Sequence, residues 1–124
     1  MFVKNASCTD YTDTVKYVYH LLRSTYGYNL RVINVWEYLR LCLSVEEFEI
    51  LDLKLSNLAS FESYMVDRQI DWMNGKDVDF SEIYDAIITV GDFTTGEKRL
   101  MREQQIEQIL WGMFLAICSP ELTI

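Results

Sequence analysis

The sequence predicts an all-α protein, a single compact bundle of five to six helices spanning residues 1–124. Three observations carry that expectation. One proline and five glycines in 124 residues leave little turn material for a β-sandwich, which needs it every few residues. Half the residues are hydrophobic and 14% are aromatic, enough for a dense core in a chain of one-domain length. Apolar side chains also recur at helical spacing behind recognisable caps.

The first helix is expected from about Asp10 to Ser24, with Tyr11, Val15, Val18 and Leu22 on one face and Gly27 as terminator. A second spans Val35 to Leu43, capped by Asn34 with Glu37 three residues on. Ser44 and Glu47 form a capping box that opens a third helix carrying Phe48 and Leu51. A fourth, Asn57 to Asn74, buries Leu58, Phe61, Met65 and Trp72 before Gly75. Asp79 or Ser81 caps a fifth that buries Phe80, Ile83, Ile87 and Val90. Thr94 and Glu97 form another capping box, and the final helix runs to Ser119-Pro120 with a stripe of Leu100, Ile106, Ile109, Met113 and Ile117.

Two segments also fit strand periodicity. Leu51, Leu53 and Leu55 alternate with polar residues, and residues 30–35 are rich in β-branched side chains. The alternative fold is therefore α+β, with a short hairpin formed by residues 28–36 and 48–56.

The net charge of −8 is unevenly distributed. Residues 1–43 carry +2, residues 44–92 carry −9 and residues 93–124 carry −1. No basic stripe exists to neutralise phosphates, so direct nucleic-acid binding is not expected. The longest apolar run, Ile109 to Cys118, is about half the roughly twenty residues of a membrane span. Neither a membrane role nor a signal peptide is expected, and Asn5-Ala6-Ser7 is a sequon without consequence. Three scattered cysteines, Cys8, Cys42 and Cys118, suit reduced thiols in a cytoplasm, the chain's own or a host's.

Several motifs fail on inspection. Gly91-Asp92-Phe93-Thr94-Thr95-Gly96-Glu97-Lys98 imitates a phosphate loop, but Glu97 stands where the lysine must be and no hydroxyl follows Lys98. Asp77, Asp79, Ser81 and Asp85 imitate a calcium loop, but Glu82 replaces its glycine and Ile88 its bidentate glutamate. His20 is the only histidine, so neither a zinc site nor a nucleophile–histidine pair is expected. No cofactor, metal or catalytic residue is expected.

What remains is a surface. The reading is a non-catalytic protein–protein interaction module: a small acidic accessory, assembly or inhibitor protein, for instance one encoded by a virus or mobile element. Its partner would have a basic surface, contacted by Asp77, Asp79, Glu82, Asp85, Glu46 and Glu47, because opposite charge speeds encounter. Two alternatives stand beside it: an acidic nucleic-acid mimic that blocks a DNA- or RNA-binding enzyme, and a small enzyme using carboxylates. The stretch Ile109 to Ile117 is apolar all round, so its helix is either central or covered by a second copy. In the homodimer reading Trp111, Gly112, Leu115 and Ala116 form the contact.

Overall fold

The computed structural model describes residues 12–55, 58–90 and 96–118. Among them the elements are α1 (Asp13–Tyr26), α2 (Val32–Cys42), α3 (Val45–Leu55), α4 (Leu58–Met73), α5 (Ser81–Val90) and α6 (Gly96–Cys118), with a 3-10 turn at Gly27–Asn29. No strand occurs among the described residues. Neither segment of the hairpin alternative forms a strand where it is described: from Val32 on the first belongs to α2, and Leu51 to Leu55 close α3. Leu51 and Leu55 face inward while Leu53 points to solvent, so the polar–apolar alternation was a helix face sampled at every second residue.

The caps explain the boundaries. The Thr12 hydroxyl accepts the Val15 backbone N–H at 3.3 Å and starts α1. The α2 helix begins three residues earlier than the sequence suggested. Asn34 lies inside its first turn, where the side-chain oxygen accepts the Arg31 N–H at 2.9 Å. At α3 the expected capping box is present: Glu47 N–H donates to Ser44 Oγ at 3.1 Å, and Ser44 N–H donates to the Glu47 carboxylate at 2.9 Å. The α4 helix ends in a Schellman turn, with Lys76 N–H donating to the Asp71 carbonyl at 2.9 Å and Gly75 N–H to that of Trp72 at 3.1 Å. Gly75 supplies the left-handed backbone this turn requires, at φ 75°.

The buried side chains of all six helices join in one cluster. Its axis is the C-terminal half of α6, where Ile109 to Ala116 are all buried. The α1 helix packs most extensively against it, and α5 lies against both α3 and α6. Phe80 meets Trp111 edge to face with ring centres 5.3 Å apart, and Trp72 leans on Phe114 at 5.3 Å. The indole N–H of Trp111 is buried here and meets no hydrogen-bond acceptor among the described residues.

Leu100, expected in the core stripe, is exposed instead. Six residues separate it from Ile106, which places it about 120° away around the helix. The position in phase with Ile106, Ile109 and Met113 is Arg102, and it does point inward. The expected roles of Tyr11, Leu58, Val90 and the Thr94–Glu97 capping box fall on residues or side chains outside those described.

Candidate functional site

The acidic segment is held outward by its own alternation. Between α4 and α5 the chain has no helix, and buried Val78 and Phe80 alternate with exposed Asp77 and Asp79. The apolar pair anchors the segment in the core, so the two carboxylates must face solvent. Tyr64 Oη donates to the Asp79 carbonyl at 3.4 Å, and Arg68 covers the Tyr64 ring with its guanidinium carbon 4.8 Å from the centroid.

Asp79 is committed to capping. One oxygen accepts the Ser81 N–H at 2.8 Å and the other accepts the Ser81 hydroxyl at 3.0 Å, which satisfies the start of α5. Glu82 and Asp85 follow one turn apart on the exposed side, and Lys54 lies 4.0 Å from Glu82 at the margin. The structure therefore brings three of the six predicted surface carboxylates together, Asp79 with Glu82 beside Tyr64 and Asp79 with Asp85 beside Tyr84, and Asp77 is exposed two residues before Asp79.

Two more carboxylates arrive from α6. Glu103 and Glu107 share one face of that helix and belong to the same electrostatic surroundings as Asp79 and Asp85. Burial, then the charges of Glu107, Asp79, Asp85 and Glu103, push the Tyr84 phenol up to about 12. Partial burial, followed by Asp79 and Glu103, also raises the Glu107 carboxyl above its ordinary value. Like charges are thus crowded around Tyr84, a field that attracts cations and basic side chains. Sequence reasoning missed Glu103, Tyr84 and Glu107. The four-residue spacing of the two glutamates was a visible signal, but their approach to α5 was not.

The other two predicted carboxylates lie elsewhere. Glu46 is exposed near the start of α3, about 12 Å along the helix axis from Lys54, the residue that meets the acidic patch. Glu47 is no surface residue: it is only 5% exposed. Arg102 ion-pairs with it from α6, with Arg102 Nε donating to the carboxylate at 3.0 Å. The same guanidinium donates to the Cys42 carbonyl at 3.3 Å, which satisfies the end of α2. Burial works to raise the Glu47 carboxyl, but the Arg102 hydrogen bonds and charge, with the Ser44 N–H, hold it below the ordinary range. Glu47 and Arg102 therefore join α2, α3 and α6 and are unavailable to a partner.

The residues assigned to self-association are interior. Trp111, Leu115 and Ala116 are buried within the chain itself, and Gly112 faces α1 so closely that a Cβ there would stand 2.6 Å from Val18 Cβ. The helix is apolar all round because α1, α4 and α5 surround it, and its small residue serves an intramolecular contact.

Among the described residues no group of His, Cys, Asp and Glu is placed to hold a metal ion. Burial pushes the Cys118 thiol up to about 12 and also raises Cys42, which shares a hydrogen bond with Tyr38. Both stay protonated at neutral pH, the opposite of an activated nucleophile. His20 lies exposed on α1, edge-on to Tyr19 at 5.2 Å. No described helix is long and apolar enough to cross a membrane. Cys8 and the Gly91 to Thr95 stretch of the imitation phosphate loop lie outside the described residues. No known protein family, curated protein or solved structure matches this chain.

Proposed function

We propose that this protein is a non-catalytic interaction module whose acidic face docks a partner with a basic surface. The observation that carries the reading is the convergence of carboxylates from two helices around Tyr84: Asp79 and Asp85 with α5, Glu103 and Glu107 on α6. Within this group burial, and after it the charges of Asp79 and Glu103, raises the Glu107 carboxyl, so a cationic partner would relieve the part that is repulsion. The protonated, half-buried thiols support a non-catalytic role.

The test is capture of partners from cell extract by the wild-type protein and by the triple variant Asp77→Lys, Asp85→Lys, Glu103→Lys. Asp79 is left intact because it caps α5. Basic proteins held by the wild type in low salt should be released by raised ionic strength and absent from the variant. Equal capture by both would discard the reading. The nucleic-acid mimic is its narrower form, and it requires in addition that duplex DNA compete with this protein for the captured partner.

A further inference from the structure

The α4 helix is apolar on two opposite faces. Phe61, Tyr64 and Met65 are buried and Trp72 is packed against the core. On the outward side Val66, Ile70 and Met73 are 45%, 49% and 76% exposed. Spacings of four and three residues place these within about 60° of helix circumference, in one row, with exposed Ala59 in the same arc. Single exposed apolar residues are ordinary. A row along the middle of the solvent side is not, because that is where an amphipathic helix carries its polar residues.

The row does not stand alone. Exposed Glu62, one turn before Val66, forms the lip of a groove of about 310 Å³ between the start of α2 and α4. Leu30, Val32, Ile33 and Ile117 line it. Arg31, at the same groove, turns its guanidinium to the carbonyls of Tyr28 and Leu30 at 3.3 Å. The charges bordering the row are acidic. Glu62 and Asp67 are exposed on opposite sides of it, whereas Arg68, on the inner side of α4, is paired with Asp71 at 3.1 Å.

We propose that this face of α4, continued by the α2 groove, docks an amphipathic helix of another protein whose apolar row is bordered by basic residues. The apolar row gives the partner helix its anchors at matching i, i+4, i+7 spacing. The acidic borders select its charge. A second copy of this chain would bring Glu62 and Asp67 toward their own equivalents across a two-fold axis, which opposes self-pairing. The surface is separate from the carboxylates around Tyr84, so the two readings fail independently.

The experiment uses two synthetic 18-residue helical peptides as probes, one of leucine and lysine and one of leucine and glutamate, with binding read by fluorescence anisotropy. The leucine–lysine peptide should bind the wild-type protein, and Val66→Ser with Ile70→Ser should weaken it roughly tenfold or more. Met73→Ser, the most exposed position, should act in the same direction. Glu62→Gln with Asp67→Asn should give a smaller loss, and Asp85→Asn with Glu103→Gln, on the separate acidic face, should cost less than the α4 substitutions. Four results would overturn the proposal: affinity indifferent to the α4 substitutions, loss confined to the Asp85 and Glu103 variant, equal binding of the acidic peptide, or a wild-type dimer that Val66→Ser with Ile70→Ser dissociates.

Discussion

Gly112 of α6 packs against Val18 of α1 with no room for a side chain between them. A Cβ at Gly112 would meet Val18 Cβ at 2.6 Å and the Val15 carbonyl oxygen at 2.9 Å. Neither neighbour is the free end of a flexible chain, so the helices themselves would have to part. Helix propensity favours Gly112→Ala by about 1 kcal/mol, while overpacking of a well-filled contact costs roughly 1–3 kcal/mol. The expected outcome is a lower melting temperature for Gly112→Ala, and a much lower one for Gly112→Val. A higher melting temperature for the alanine variant would show that α1 and α6 do not approach in this way.

Arg102 and Glu47 form a second predicted weak point. Replacing Arg102 by methionine leaves a carboxylate buried without its cation, which costs roughly 3–5 kcal/mol. Adding Glu47→Gln should restore part of that loss, because glutamine keeps an oxygen for the Ser44 N–H without burying a charge. Chemical denaturation of both single variants and the double variant measures the coupling. Additive losses would mean that the pair is not formed.

Two carboxyls give opposite pH dependences. The Glu47 carboxyl lies below its ordinary value, so its contribution is present above about pH 4.3 and fades as pH falls through the depressed value. The Glu107 carboxyl is raised. Its ionisation costs stability in the folded state, a cost absent below about pH 4.3 that grows as pH rises through the raised value. Glu107→Gln should therefore raise the melting temperature at pH 7 and leave it unchanged in acid. Melting curves across that range check the sign. A neutral-pH loss would reverse the account of the crowded carboxylates.

Gly75 should tolerate no side chain without cost. Its φ of 75° lies in the left-handed region, and among the described residues nothing stands within 4 Å of the position that a Cβ would take. The penalty of Gly75→Ala is therefore conformational alone, about 1–2 kcal/mol. Asparagine, which visits this region more readily, should cost less than alanine. Equal melting temperatures for all three would remove the Schellman turn as the stop for α4.

Much of the architecture could be read locally. Thr12 apart, the signals at Ser44 with Glu47, Gly27, Gly75 and Asp79 are short-range chemistry, and each appears where the chain order places it. Asn34 misled because an asparagine can take the Arg31 N–H from inside the first turn as well as cap from outside it. Long-range relations were less legible. Glu47 looked like one more surface acid because its partner lies 55 residues away in sequence. Arg102 did leave a trace, a single charge in phase with Ile106, Ile109 and Met113, and a charge on a core stripe implies a buried counter-charge. The outer row of α4 was hidden by the inner one, since a helix apolar on two faces shows no single stripe.

The pairing of α1 with α6 also has a meaning for synthesis. The Arg23 guanidinium and the Ala116 carbonyl it donates to are 93 residues apart. A growing chain moves from one to the other in roughly 5–20 s at common elongation rates of about 5–20 residues per second. Throughout that interval Val15, Val18 and Leu22 have been made and their cover has not. Among the described helices, α1 is therefore made first and covered last, since α6 emerges only after the other four.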